Sequence, residues 1–179
     1  MNGGPNQYAL FNNQNPYIPG SDQGYHLGTL PAMFEPLIMF NVITGDHENW
    51  LAETWEYDDD FRVITITLRE GIKWSDGHPL TTSDVAFTFD LLKEHAGSMV
   101  HLADLPEFFD RSEVVDERTI RLVLTQPGPA FWATTLSSNH GVHILPEHIW
   151  KDVDPLEFSN HDIDAGLPLG TGPYRLVYA

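Results

Sequence analysis

The sequence predicts an α+β fold in which β-hairpins build an antiparallel or mixed sheet with flanking helices. Two stretches alternate apolar and polar residues around acidic turns, which is the period of half-buried strands. A third stretch places apolar residues at helical spacing behind a capping residue. With 179 residues and 41% hydrophobic residues, the chain can bury the core of one full domain.

The first hairpin is predicted over residues 51–71. Ile64, Ile66 and Leu68 alternate with polar residues, so one face of this strand should be buried. The run Asp58–Asp60 should form the turn, because short polar side chains bond the local backbone. Its spacing matches no EF-hand loop, which favours a solvated turn over a metal site.

The stretch LREGIKWSDGHPLTTSDVAFTF runs from the hairpin into a helix. Ser75–Gly77 should form a tight turn, since glycine tolerates positive φ. Thr81 followed by Asp84 resembles a capping box and predicts a helix from about Thr82 to His95. Trp74 could be a stacking platform for a sugar or peptide, or a core plug at the joint. The core plug is favoured, because large aromatic side chains dominate core energetics.

A second hairpin is predicted around the turn Asp116–Glu117, with a strand through Ile120 and Leu124. AFWATTL and LPEHIW predict two short helices, the second with Pro146 at its first position. AMFEPLIMF is apolar enough for a buried helix or strand, and the residues after it predict a turn. GTGPYRLVYA predicts a turn into a strand at the chain end, as expected of a piece of a longer protein.

Composition excludes several classes of function. With 26 acidic and 9 basic residues, the formal net charge of −17 disfavours nucleic acid and anionic membrane surfaces as partners. Cysteine is absent, which excludes disulfides, thiol catalysis and cysteine-based metal sites. No apolar stretch is long enough for a membrane span, and the first ten residues lack the pattern of a signal peptide.

The sequence contains no complete catalytic or metal-binding motif. His140, His143 and His148 match no zinc motif, and no acidic residue completes a known spacing, so no metal site is predicted. GSDQG places its serine wrongly for a nucleophile elbow, and phosphate-binding and dinucleotide-binding fingerprints are absent. The sequence therefore predicts no catalytic residues, no cofactor and no enzyme activity.

Five blocks carry a family resemblance. LAETWEYDDD, LREGIKWSDGHPLTTSDVAFTFDLL, EVVDERTIRLVL, ILPEHIW and GTGPYRLV follow one another in the order and spacing of the family 5 extracellular solute-binding proteins. The resemblance runs from about Met33 to the end of the chain. Members of this family are the receptors of oligopeptide, dipeptide, nickel and oligosaccharide ABC transporters.

The resemblance implies a periplasmic binding protein-like fold of class II, in which two lobes close over a ligand. Residues 1–34 would be an irregular lead-in belonging to lobe one, and residues 35–167 an extra subdomain of that lobe. Residues 168–179 would be a strand returning to lobe one, with the rest of the receptor absent. The full receptor would be monomeric, periplasmic or extracellular, anchored as a lipoprotein, and would deliver its ligand to a membrane permease.

The resemblance also suggests a ligand class. FEPLIMFNVITGDHENWLAETWE and NQNPYIPG look more like the cello- and chito-oligosaccharide receptors than the peptide receptors. In that branch the Asn-Pro-aromatic loop lies at the cleft, so Asn15, Pro16 and Tyr17 are the candidate ligand contacts. Two alternatives stay open: a receptor for oligopeptides or dipeptides, and a receptor that reports its ligand to a signalling system.

Overall fold

The computed structural model describes residues 13–18, 33–41, 43–99, 103–137 and 141–175. Within these ranges the chain has an α+β fold with antiparallel sheets, as the sequence predicts. The strands are β1 Ile38–Phe40, β2 His47–Asn49, β3 Ala52–Tyr57, β4 Val63–Leu68, β5 Phe109–Val114 and β6 Thr119–Leu124. The helices are α1 Thr82–Glu94, α2 Leu105–Phe108 and α3 Glu147–Trp150, with a π-helical turn at Trp132–Leu136.

Both predicted hairpins are present and share one sheet of four strands in the order β3-β4-β6-β5. The two central strands pair antiparallel, with Ile64 opposite Leu122 and Ile66 opposite Ile120. All four of these side chains are buried, because alternate residues of a strand point to the same face. The sheet therefore has one apolar face, and α1 packs against it.

The helix α1 begins as the sequence predicts. The Asp84 carboxylate accepts a hydrogen bond from the Thr81 backbone N–H, with an oxygen–nitrogen distance of 2.9 Å. The Thr81 side chain accepts from the Ser83 backbone N–H, so the capping box is complete. The helix ends at Glu94, where the His95 backbone N–H donates to the Leu91 carbonyl.

The core lies between α1, the apolar sheet face and α3. Phe89 on α1 meets Phe109 on β5 with their ring centroids 5.0 Å apart. Trp74 is 3% exposed and belongs to the same core cluster, in agreement with the core-plug interpretation. Among the described residues, no helix is long and apolar enough to cross a membrane.

The structure differs from the sequence prediction in four places. Strand β1 lies in the segment predicted as a helix or strand, but the residues after it, predicted as a turn, also contain strand β2, which pairs with β1 in a hairpin closed through Gly45 at a φ of 77°. The AFWATTL stretch is a π-helical turn. Pro146 is the N-cap of α3 and not its first residue. The described part of the predicted return strand, residues 168–175, has no regular structure, and residues 176–179 lie outside the described ranges.

Candidate functional site

The three predicted ligand contacts lie inside the molecule. Asn15 is 0% exposed, Tyr17 is 2% exposed, and Pro16 between them is buried. The Asn15 amide nitrogen donates to the carbonyl oxygens of Pro155 and Phe158, at 2.7 and 2.9 Å. The Asn15 side chain thus ties the loop to a segment about 140 residues further along the chain. Their role as ligand contacts stays a prediction.

The Tyr17 hydroxyl is bonded in the same way. It donates to the His143 carbonyl at 2.6 Å and accepts from the His143 backbone N–H at 2.7 Å. The Tyr17 backbone N–H in turn donates to the side-chain oxygen of Asn15 at 2.9 Å. Because a buried backbone group without a partner is costly, these bonds fix the position of the loop.

The Trp-Ser-Asp-Gly turn forms a second structural junction. Gly77 has a φ of 94°, which the tight turn requires, and its N–H donates to the Trp74 carbonyl at 2.9 Å. The Ser75 N–H reaches out of the turn and donates to the Gly170 carbonyl at 2.9 Å. A β-carbon on Gly170 would lie 2.1 Å from the Met33 carbonyl oxygen, so this close approach requires glycine. The turn, the GTGPY segment and Met33 therefore meet at one place.

Asp76, in the same turn, is surrounded by two histidines. One Asp76 carboxylate oxygen lies 2.8 Å from His148 Nε2 and 3.2 Å from His78 Nδ1. The two imidazole rings are stacked, with centroids 4.3 Å apart and planes inclined by 22°. Burial works to raise the pKa of Asp76, but the His78 backbone N–H and the two imidazoles together hold this pKa below its usual value.

His148 reaches Asp76 because of how α3 is attached. The Asp84 carboxylate, which caps α1, also accepts from the Glu147 backbone N–H at 2.9 Å. One turn later on α1, the Thr88 hydroxyl accepts from the Leu145 backbone N–H at 2.9 Å. These two bonds fasten the start of α3 to α1, and they thereby place His148 over the turn.

The sequence alone did not reveal this cluster. His148 was considered together with His140 and His143, but His140 lies outside the described residues, and His143 is buried beside Tyr17. The carboxylate that His148 meets is 72 residues away in the chain. The only signal of the cluster near Asp76 in the sequence was His78, which directly follows the Asp-Gly pair.

Aromatic rings gather where the small hairpin meets strand β3 and the π-helical turn, and the indoles of Trp55 and Trp132 are half-buried there. Trp55 and Trp132 stack with centroids 5.3 Å apart, and His47 meets Trp132 edge-on at 3.9 Å. His47 also contacts Phe40, which is exposed. An aromatic surface of this kind can hold the flat apolar face of a ligand, a role that the sequence had offered as one reading of Trp74.

Comparisons with known proteins give a consistent result. The family profile "Bacterial extracellular solute-binding proteins, family 5 Middle" matches residues 47–178. A Brucella ovis protein named as an ABC transporter peptide-binding protein is 32% identical over 150 residues, covering 82% of this chain and 27% of the relative. The dipeptide-binding protein of Escherichia coli is 28% identical over 185 residues, covering 90% of this chain and 32% of the relative.

The solved structures agree. The periplasmic oligopeptide-binding protein of Thermotoga maritima superposes with a TM-score of 0.70 at 34% identity, over 83% of this chain and 26% of that protein. A second structure of it contains mannohexaose. The chain thus spans only about a quarter to a third of the length of the proteins that it matches.

Proposed function

Because the chain belongs to the bacterial extracellular solute-binding proteins of family 5, we propose that it is part of a receptor that captures a solute for an ABC importer. The observation that carries this proposal is the profile match over residues 47–178, which includes the whole four-stranded sheet and α1. In this proposal the receptor is non-catalytic. It works in the periplasm or outside the cell, and it releases its ligand to a membrane permease.

The proposed division of the chain follows the family architecture. Residues 35–167 would form a subdomain of lobe one, and residues 1–34 and 168–179 would belong to that lobe itself. The contact between the two boundaries supports this division, since the Gly172 N–H donates to the Met33 carbonyl at 2.9 Å. A subdomain inserted into a lobe must leave and re-enter it at neighbouring points, and these two residues are neighbours.

Peptide is the ligand class that the relatives support most widely. The Brucella ovis and Escherichia coli relatives are both named for peptide or dipeptide binding. Oligosaccharide, which the sequence patterns favoured, is the second candidate. One specific observation supports it: the Thermotoga maritima protein, named for oligopeptides, has been solved with a bound mannohexaose.

The loop of Asn15, Pro16 and Tyr17 is proposed to take part in ligand binding. The polar atoms of Asn15 and Tyr17 are engaged by backbone groups of the chain, as described above. We therefore assign these two side chains to holding the loop in place, so that neighbouring groups face the ligand. Tyr17→Phe in the receptor should then weaken ligand binding and also lower the melting midpoint, because the His143 backbone groups lose this partner, while circular dichroism should still show a folded protein.

A thermal-shift screen of the receptor that contains this chain tests the proposal. One set of ligands comprises peptides of two to six residues, and the other comprises cello-, chito- and manno-oligosaccharides of the same lengths. A ligand that binds only the folded state raises the melting midpoint, and the rise grows with the logarithm of the ratio of ligand concentration to Kd. A rise with peptides supports the first candidate, and a rise with sugars only supports the second. The absence of a rise with either set would overturn the proposal.

Uptake separates transport from sensing. A strain lacking the gene should lose uptake of the labelled ligand identified in the screen, and the restored gene should recover it. Unchanged uptake, together with a lost transcriptional response to that ligand, would favour a signalling receptor instead.

A further inference from the structure

Asp76, His78 and His148 place three metal-ligating side chains together where the Trp-Ser-Asp-Gly turn meets α3. One ligand atom from each lies within 4.8 Å of those of the other two. From this geometry we propose that the three residues bind a divalent transition-metal ion, with Zn²⁺ or Ni²⁺ as the occupant. All three proposed ligands come from this chain. The metal site is separate from the proposed solute-binding function and does not depend on it.

The observed distances are close to those of a bound metal. Zinc–nitrogen and zinc–oxygen bonds are about 2.0–2.2 Å long, so two ligands of a tetrahedral ion lie roughly 3.3–3.5 Å apart. The Asp76 carboxylate oxygen is 2.8 Å from His148 Nε2 and 3.2 Å from His78 Nδ1. Only small outward movements of the side chains would open room for the ion.

The structure also shows which ligand can move. Asp76 is held by the His78 backbone N–H, which donates to its other oxygen at 3.0 Å, and His148 is held by the attachment of α3. The His78 side chain is 62% exposed, against 28% for His148. The planes of the two rings are inclined by only 22°, and an imidazole lone pair lies in the plane of its ring, so one ring must tilt before both can bind the same ion. His78 is free to do so.

The donor set indicates the class of metal. Two imidazoles and one carboxylate suit Zn²⁺, Ni²⁺ and Cu²⁺, whereas Ca²⁺ and Mg²⁺ prefer sites made of oxygen atoms. Three protein ligands leave at least one coordination position for water or for another group. An ion at this place would connect the Trp-Ser-Asp-Gly turn directly to α3 and would stabilise the junction with the GTGPY segment.

The competing interpretation is that Asp76 only accepts hydrogen bonds and so joins the turn to α3. That role needs His148 and the backbone of His78, but it needs the His78 imidazole much less. The variant His78→Ala therefore separates the two interpretations, because it removes a metal ligand and leaves the Asp76–His148 bond in place. His95→Ala is the matched control, since His95 is a histidine remote in the fold at the end of α1.

Calorimetric titration of the chain with ZnCl₂ and NiCl₂ tests the proposal. The protein is prepared without a polyhistidine tag and freed of metal with a chelator. We expect one ion per chain with micromolar affinity, at least tenfold weaker binding in His78→Ala, and unchanged binding in His95→Ala. Bound Co²⁺ should give visible absorption bands of a site with nitrogen ligands, and these should be lost in His78→Ala.

Two results would overturn the inference. The first is binding no tighter than millimolar in the unsubstituted chain. The second is equal binding by the unsubstituted chain and by His78→Ala, since His78 would then not be a ligand. His148→Ala and Asp76→Asn extend the test where circular dichroism shows that they fold; where they do not, the His78→Ala comparison alone decides.

Discussion

Trp74 fills the joint between the first hairpin and α1, with only 3% of its surface exposed. Its indole nitrogen has no hydrogen-bond partner among the described residues, so its contribution is packing and not a polar contact. Trp74→Ala should lower the free energy of unfolding by about 3–5 kcal/mol, the range for emptying a large aromatic site. Trp74→Phe should lower the free energy of unfolding much less, because phenylalanine keeps a ring in the core and no hydrogen bond of the indole is lost. Urea denaturation measures both changes.

Trp50 provides the control for Trp74, because it is 38% exposed and its indole nitrogen bonds Glu35 at the surface. Trp50→Ala should shift the urea midpoint far less than Trp74→Ala. If the two substitutions shifted it equally little, Trp74 would have to be accessible, and the interpretation of this residue as a stacking platform for a ligand would regain support.

Asp116 gives a pH-dependent contribution to stability. Its carboxylate accepts from the backbone N–H groups of Arg118 and Thr119, both at 2.8 Å, and these bonds hold its pKa below the usual value. A lowered pKa means that the folded state favours the ionised form. The stabilisation is therefore complete above the ordinary pKa of about 3.9 and is lost as the pH falls through the lower, folded-state pKa.

Asp116→Asn tests this contribution, since asparagine keeps the acceptor oxygen but carries no charge. The unsubstituted chain should melt at a higher temperature than the variant at pH 7. The difference should shrink as the pH is lowered below about 4, where Asp116 becomes protonated first in the unfolded chain and then, at lower pH, in the folded one. A difference that stays constant down to the acid unfolding limit would show that the charge contributes nothing.

At the scale of the elements, the first turn of α1 stabilises the fold in two ways: it is capped by side chains, and it binds the start of α3. Thr81 supplies one cap bond, so Thr81→Ala should cost about 1 kcal/mol of stability. Asp84 is 5% exposed and accepts from two backbone N–H groups, those of Thr81 and Glu147. Asp84→Ala leaves both without this partner and should cost more, about 2–3 kcal/mol.

Chemical denaturation of these variants measures the two costs. Ser83→Ala is the control, because Ser83 lies exposed in the same helical turn and only its backbone N–H takes part in the cap. If Asp84→Ala cost no more than Thr81→Ala, the bond to Glu147 would not be fastening α3 to α1.

The elements differ in how far the sequence predicts them. β4, β6 and α1 were predictable because each buries a regular stripe, as Ile64, Ile66 and Leu68 show on β4. The hairpin β1–β2 was not, since its second strand, His47–Asn49, is exposed throughout and has no apolar period. The π-helical turn was predicted as an ordinary short helix. It has only five residues, so the spacing of its apolar residues cannot distinguish a π-helix from an α-helix.

The candidate sites depend on contacts that no local pattern encodes. The sequence predicts Asn15 as a loop residue that contacts the ligand. In the structure its hydrogen-bond partners are the carbonyl groups of Pro155 and Phe158, far along the chain. Asp76 and His148 are likewise distant in sequence and adjacent in space. Sequence reasoning recovers the family and the sheet, whereas the assembly of a site from remote segments requires the fold.

At the scale of the whole molecule, the chain matches only about a quarter to a third of each relative. A receptor of two closing lobes gains affinity by enclosing its ligand, so one part of one lobe supplies a limited contact surface. That surface must still offset the loss of translational and rotational freedom on association. The isolated chain should therefore bind weakly, although it has a core of its own.

Isothermal titration calorimetry of the ligand found in the thermal-shift screen, with this chain and with the receptor that contains it, tests the central claim most directly. We predict that the receptor binds with a Kd in the micromolar range or tighter, about −8 kcal/mol or better. The isolated chain should bind no more tightly than about 1 mM, near −4 kcal/mol. Micromolar binding by the isolated chain would place the whole site within these 179 residues and contradict the account.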